Sequence, residues 1–464
     1  MNMVSRRNFL KSGAVFAAAP VIVPRHVLGG TGYTPPSGRL TVAGVGVGGV
    51  GHPHMCGIAA TGFQIEALCD VDDVHAKVMY DKFPQARRYR DYREMLAAEK
   101  DKIDCVYCAT PDHTHAFVTL AALAAKKHVC CVKPLTRSLE EIYVVADAAK
   151  KAGTATQVTS LPWSNEPGCR TREIIESGLL GDVVEVHLWS CRPVWPQGMP
   201  EYPRFTDPVP ASLDWNQWLG PSEKRPFAAK WPADSIIPKL TTHTWGGRGV
   251  FHPFNFRGWY EFGAGSLGDM GCHYINTVYK ALKLTHPTLV TSHSTRWSPV
   301  AFPLACLVTY DYPAREGMPA CRVHWYDGGI KPPVPREMGT EPLSEEGVLY
   351  VGTKGKLVYN PDNGRIRVLG DGLQAKADAL PRVHRRRGDL WWEWKDGCLG
   401  KEEACCNFQW AIGITEFVLL GNLAVRTRKP VKFDPATMTC ADNPEANDLI
   451  RLKYYNGYTL NSQG

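Results

Sequence analysis

The chain has 464 residues, 44% of them hydrophobic and 21% charged, with 53 basic against 46 acidic side chains for a formal net charge of +7. At about 150 residues per domain this length predicts two or three domains, each able to bury its own core. The 43 glycines and 35 prolines follow no strict period, and no apolar run reaches the ~20 residues of a bilayer span. Collagen-like, disordered and membrane-spanning architectures are therefore set aside. The densest basic run, Arg382-Val383-His384-Arg385-Arg386-Arg387, reads as a solvated loop and not as a nucleic-acid face. Fifteen cysteines, odd in number and thinly spread, do not make a disulfide framework.

The first specific signal is Ser5-Arg6-Arg7-Asn8-Phe9-Leu10-Lys11, followed by an apolar stretch over residues 13–23 that contains Ala17, Ala18 and Ala19. A twin arginine ahead of a short hydrophobic segment is the address of the bacterial pathway that exports folded proteins. The expected organisation begins with a signal peptide over residues 1–30, cleaved between Ala19 and Gly30, and a linker over 31–38. The destination is the periplasm or another exported location, with the twin-arginine machinery as a transient partner.

Residues 40–45 form a short β-prone run, and Gly46-Val47-Gly48-Gly49-Val50-Gly51 follows it. This reads as strand, G-x-G-x-x-G turn and helix start. Gly46 permits the tight turn, Gly48 lets the backbone approach a pyrophosphate, and Gly51 allows close helix-to-strand packing. The next strand-like run, residues 63–69, ends in Asp70, placed to accept hydrogen bonds from the adenosine ribose or, alternatively, to cap the helix that follows. With Asp72 and Asp73 nearby, a 2′-phosphate is repelled, so NAD is favoured over NADP.

Further strands over residues 103–109, 128–132 and 154–158 alternate with helical stretches, as a doubly wound sheet requires. Ligands in such sheets lie beyond the carboxyl ends of the strands, where Thr110, His115, Lys133 and Gln157 fall. Cys105 and Cys108 share one strand; three positions apart they face opposite sides, so they read as packed thiols.

Gly46-x-Gly48-Gly49-x-Gly51, Cys69-Asp70-Val71-Asp72, Tyr89-x-Asp91-Tyr92-Arg93-x-Met95, Ala109-Thr110-Pro111-Asp112-His113-x-His115 and Lys133-Pro134-Leu135 resemble the Gfo/Idh/MocA family of oxidoreductases. Trp195-Pro196-Gln197-Gly198, Leu213-Asp214-Trp215-x-x-Trp218, Arg257-Gly258-Trp259 through His273, Trp325-Tyr326-Asp327-Gly328-Gly329 and Leu419-Leu420-Gly421-Asn422-Leu423-Ala424 are similar to its exported, twin-arginine subgroup. The resemblance runs from about Arg39 to the C-terminus. It implies an α/β protein: a Rossmann dinucleotide-binding domain over residues 39–160, then a larger α/β domain over 161–464 with an open, mostly antiparallel sheet. Short β-prone runs over 183–190, 289–295, 305–310 and 348–357 fit that sheet.

The same resemblance implies a site. The cofactor, NAD, is held by Gly46, Gly48, Gly49, Gly51, Asp70, Thr110, Pro111, His115 and Lys133. Lys133, Asp269 and His273 are the catalytic candidates: His273 as general acid/base, Lys133 as proton partner and electrostatic stabiliser, and Asp269 as orienter. Spaced four apart, Asp269 and His273 project from one face of a helix. Val132 stands where the family usually has Glu and its exported members often have Gln, which puts the rate in question more than the fold. Trp195, Arg257 and Trp259 are the substrate-binding candidates, with Trp163 and Tyr260 nearby, because aromatic rings stack on sugar faces and arginine donates to hydroxyls or carboxylates. No compact metal motif stands out among the paired histidines.

The expected activity is oxidation or reduction of a secondary hydroxyl of a sugar, cyclitol or related polyol, with NAD held tightly and recycled in place. A second reading is NAD-dependent glycoside cleavage by transient ring oxidation, elimination, water addition and reduction, with His243, His252, Tyr260 or Arg257 supplying the extra base or cation. A third is a sugar- or nucleotide-binding protein without turnover. A homo-oligomer, dimer or tetramer, is expected from the resemblance alone.

Overall fold

Continuous apolar runs become the buried centre of the first sheet. The computed structural model describes residues 39–240 and 249–460. The expected signal peptide over 1–30, the expected linker over 31–38 and His243 lie outside them. Strands β1 (Thr41–Val45), β2 (Gln64–Cys69), β3 (Arg87–Tyr89), β4 (Cys105–Cys108), β5 (His128–Val132) and β6 (Thr156–Thr159) pair in parallel in the order β3-β2-β1-β4-β5-β6. Between them lie α1 (Gly51–Ala60), α2 (Asp73–Lys82), α3 (Tyr92–Glu99), α4 (His115–Ala124) and α5 (Leu139–Ala152). Strand order reverses at β1 and β4, the switch point at which such sheets open a crevice. β4 is buried at every position, as a central parallel strand requires. α5 shows how local chemistry sets an element: Ser138 and Glu141 form a reciprocal capping box, and Gly153, at φ 68°, ends the helix in the left-handed region.

The second half opens with α6 (Glu166–Glu176) and builds a seven-stranded sheet. Its members are β7 (Val183–Trp189), β8 (Leu289–Ser294), β9 (Cys306–Tyr312), β10 (Cys321–Tyr326), β11 (Gly347–Gly352), β12 (Lys356–Asn360) and β13 (Arg365–Leu369). They run in the order β13-β12-β11-β7-β10-β9-β8, every neighbour antiparallel except β7 with β10. The single β run expected over 348–357 is a hairpin: β11 and β12 pair Val351 with Lys356 around a turn containing Gly352 and Gly355.

Three helices join the halves. α7 (Cys272–Ala281) continues directly from a π-helical turn over Leu267–Gly271. α8 (Leu390–Cys398) returns to the nucleotide half, where Gln157 Nε2 donates to Leu390 O at 2.6 Å and Phe63 stacks on Trp394 at 5.2 Å. α9 (Phe408–Thr427) packs against α5, α7 and β8. Contrary to the expectation that no segment reaches bilayer length, α9 is long and apolar enough to cross a membrane, but most of it is buried inside the protein. Its apolarity matches a core helix, with Phe417 stacked 4.1 Å from Tyr310 of β9.

All fifteen cysteines are free thiols. Cys105 Sγ lies 3.9 Å from Cys398 Sγ, while Cys108 Sγ meets Thr110 Oγ1 at 3.5 Å. The basic run at 382–387 is matched by carboxylates: Arg386 pairs with Glu173 at 2.5 Å and Glu166 at 2.8 Å, and Arg385 with Glu402 at 2.9 Å.

Candidate functional site

A cavity of about 760 Å³ opens over the carboxyl ends of β1, β2, β4, β5 and β6. Gly46, Gly48, Gly49, Asp70, Thr110, Pro111 and Lys133 line its nucleotide side. Arg192, Arg257, Asp269 and His273 line it from the second half.

Within the glycine turn, Gly46 and Gly48 have no room for a side chain. Gly46 sits at φ +77°, and a Cβ there would lie 2.6 Å from the Ala109 backbone; at Gly48 it would lie 2.1 Å from the His75 ring. Val50, the residue that precedes helix α1, supplies no capping side chain, and the first turn has no acidic residue, so the amino end is open to an anion. Asp70 accepts from the Val47 and Gly48 amides at 2.9 and 3.0 Å, and from the Asp72 amide at 3.1 Å. A carboxylate has about four acceptor positions, so one remains for a ribose hydroxyl. The helix cap is Asp72, which accepts from the Val74 and His75 amides and meets His252 Nε2 at 3.1 Å. Glycine cradle, open helix end and carboxylate together fit a dinucleotide.

Two expected cofactor contacts lie elsewhere. His115 is fully buried outside the cavity lining, its Nδ1 2.8 Å from Pro134 O and its Nε2 2.8 Å from Thr110 O. It ties the ends of β4 and β5 together behind the cavity wall. Gly51 also lies behind the lining, where a Cβ would fall 2.0 Å from Gly46 O, so its part is packing. Gln157 is spent on the Leu390 carbonyl.

Two of the candidate catalytic residues meet at the π turn. A π turn opens the helical ladder, and such turns cluster at functional sites. Lys133 Nζ donates both to the Asp269 carbonyl and to Asp269 Oδ1, the latter at 2.7 Å. Arg257 Nε lies 3.5 Å from the same carboxylate and Arg192 Nε 3.8 Å, while Arg192 also pairs with Glu346 at 2.6 Å. Burial alone would raise the Asp269 pKa, but Lys133, Arg257 and Arg192 hold it well below the usual carboxylate range. Asp269 is a permanent anion among three cations.

His273 stands apart from that cluster. The Leu161 backbone N–H donates to its Nδ1 at 3.1 Å, and burial, reinforced by the Lys133 charge, pushes its pKa down to about 3. A neutral ring whose Nδ1 accepts carries its proton on Nε2. In this arrangement His273 donates.

The expected aromatic substrate contacts are corrected. Trp195 and Trp259 are 1% and 0% exposed and lie outside the cavity lining; Trp195 Nε1 donates to Gln197 Oε1 and Trp259 Nε1 to Val250 O. Trp163 donates to Cys405 O, and Tyr260 packs against Phe302. Trp218, Phe254 and Phe256 line the cavity instead. Phe254 sits at φ 76°, an outlier for a bulky residue, with the Arg257 guanidinium 4.6 Å above its ring and Nη1 donating to its carbonyl at 3.0 Å. Sequence reasoning missed Arg192. Its signal was position, three residues beyond Trp189 at the carboxyl end of β7.

Three histidines near the site give a pH dependence of stability. Burial, the largest cause in each case, lowers His54 to about 4 and His113 and His273 to about 3, from an ordinary 6.5. The unfolded chain then binds protons that the folded chain does not. Their contribution is complete above pH 6.5 and is lost as pH falls from there towards 3. The thermal midpoint is expected to fall steadily from pH 7 to pH 4; a midpoint constant over that window would refute these shifts.

Residues 40–160 match the family model for the Gfo/Idh/MocA oxidoreductase family, NAD-binding Rossmann fold, and residues 167–312 match its C-terminal alpha/beta domain. Together they span more than half of the chain. The inositol 2-dehydrogenase of Salmonella typhimurium is 31% identical over 147 residues, 31% of this chain and 43% of that protein. The inositol 2-dehydrogenase of Corynebacterium glutamicum is 25% identical over 200 residues, 43% of this chain and 59% of that protein. The chain thus spans between two fifths and three fifths of the length of these relatives. Among solved structures, the WlbA dehydrogenase of Bordetella pertussis, in complex with NADH and UDP-GlcNAcA, superposes with a TM-score of 0.59 at 15% identity, covering 85% of this chain and 99% of that one. The inositol dehydrogenase homolog of Azotobacter vinelandii, complexed with NADH and myo-inositol, gives 0.52 at 18% identity, covering 85% and 98%. At these identities the likeness shows the fold.

Proposed function

The chain belongs to the Gfo/Idh/MocA family of NAD-binding oxidoreductases, and we propose that it oxidises or reduces a secondary hydroxyl of a sugar, cyclitol or related polyol. The observation that carries this reading is the Lys133–Asp269 pair, 2.7 Å apart in the cavity that the glycine turn also lines. Bound NAD supplies the hydride acceptor.

The chain supplies the rest. His273 Nε2–H donates to the reacting oxygen and orients it. Lys133 Nζ takes the hydroxyl proton as it passes one of its own to solvent at the cavity mouth, and Asp269, ionised throughout, holds the ammonium in place. Arg257 and Arg192 add positive potential where the oxygen turns anionic. On this reading the proton-transfer part expected of His273 passes to Lys133.

Ser5-Arg6-Arg7 and the apolar stretch behind it support export by the twin-arginine route. An exported enzyme that keeps its NAD bound avoids dependence on a free pool. Replacing Arg6 and Arg7 together by lysine should leave the protein in the cytoplasm; unchanged export would refute that route.

The activity is tested by denaturing the purified protein, identifying the released nucleotide by mass spectrometry, and repeating this after incubation with a panel of sugars and cyclitols. NAD in the first sample and NADH in the second, with loss of hydrogen from one sugar, is the expected result. Release of an aglycone with no net change in cofactor would establish glycoside cleavage instead. Nucleotide without any turnover would leave a binding protein.

A further inference from the structure

On the second sheet, away from the cavity lining, three metal-ligating side chains converge. Glu185 and His187 are two apart on β7 and so share a face, and His324 of β10 lies opposite His187 in the parallel ladder. Glu185 Oε1 is 2.9 Å from His324 Nε2 and 3.4 Å from His187 Nε2, and the three donor atoms all lie within 4.8 Å of one another. The two imidazoles are stacked 5.0 Å apart at 14°.

The nitrogens facing away from this cluster are both engaged. His187 Nδ1 meets Tyr326 Oη at 3.0 Å, and His324 Nδ1 meets Thr309 Oγ1 at 2.9 Å. Tyr326 is two residues beyond His324 on β10, and Thr309 is its register partner on β9, so all five side chains share one sheet face. A ligating histidine characteristically donates its other N–H to an oxygen, which fixes the tautomer and aims the free lone pair at the metal. Both hydroxyls are placed to accept such protons. Both Nε2 lone pairs then converge on the carboxylate oxygen.

We propose that Glu185, His187 and His324 form a binding site for a borderline divalent transition cation of the Zn²⁺ class. Two imidazoles and one carboxylate suit Zn²⁺, Co²⁺ or Fe²⁺, whereas Mg²⁺ and Ca²⁺ require mainly oxygen donors. Bonds of about 2.0–2.2 Å ask only that the rings tilt their Nε2 edges together. Three protein ligands leave a position open, and the Glu185 side chain, 40% exposed, marks the side from which solvent or a second donor reaches it.

The alternative occupant is a proton: with Nε2 protonated, either ring donates to Glu185 and its Nδ1 accepts from the neighbouring hydroxyl. The two are separated by titrating Co²⁺ into chelator-treated, untagged protein at neutral pH and following the d–d absorption, with Zn²⁺ competition. One equivalent of Co²⁺, displaced by Zn²⁺ and bound at least tenfold more weakly by His324→Gln, is the expected result. Should His324→Gln fold poorly, Glu185→Gln serves in its place, and Thr309→Val should weaken binding without removing a ligand. NAD binding, unchanged in each variant, reports the fold. No saturable Co²⁺ binding, or equal binding by wild type, His324→Gln and Glu185→Gln, would leave the proton as the occupant and overturn the proposal.

Discussion

Lys133→Met is expected to lower kcat/KM on the true substrate by about 10³-fold. The size follows from removing both a proton conduit and a cation at the developing alkoxide, each of which contributes on the order of 10²-fold or more. Methionine keeps most of the aliphatic stem, so the cavity wall is retained. Asp269 stays ionised because Arg257 and Arg192 still face it at 3.5 and 3.8 Å. The decisive comparison is His273→Leu. Loss of one hydrogen-bond donor costs roughly 10–10²-fold, whereas loss of the general base would match Lys133→Met. Equal effects of the two substitutions would return the base to His273, and near-full turnover by Lys133→Met would remove the lysine from the chemistry.

How much of this was legible in the sequence depends on what each feature needed. The Rossmann half was readable because its signals are local: an apolar strand, glycines at fixed offsets, and an acid after the second strand. His128–Val132 matches the expected run residue for residue. The seven-stranded sheet was readable as separate runs and not as an order, since β7 lies between β10 and β11, more than a hundred residues away. Such pairing leaves no trace at short range. Lys133, Asp269 and His273 do meet in one cavity, but their partners were invisible. Nothing local predicts that the Leu161 amide takes His273 Nδ1, or that a π turn presents Asp269. The Glu185, His187 and His324 cluster was hidden for the same reason: two members are adjacent in the alternation of one strand, and the third is 137 positions away in sequence.

The tryptophans show the opposite error, in which residue type was allowed to stand for location. Trp259→Ala is expected to destabilise the protein by about 3–5 kcal/mol, the range for emptying a fully buried large aromatic site. The ring stacks on Tyr202 at 5.1 Å and on Trp231 at 6.2 Å, touches Phe251 at 5.0 Å, and belongs to a cluster with Trp215, Trp218 and Phe262. Removing it also orphans the Val250 carbonyl that its Nε1 serves at 3.0 Å. Two residues upstream, Arg257 depends on the same segment for its position over Phe254, but the variant that stays folded at low temperature keeps that backbone pinned, because Tyr260 N donates to Val300 O and Phe302 N to Gly258 O, each at 3.0 Å. Its KM for the sugar should therefore remain within about threefold. Denaturant midpoints and steady-state kinetics on the same preparation separate the two readings: a large loss of stability with KM intact fits a core residue, whereas unchanged stability with a tenfold rise in KM would restore Trp259 as a substrate contact.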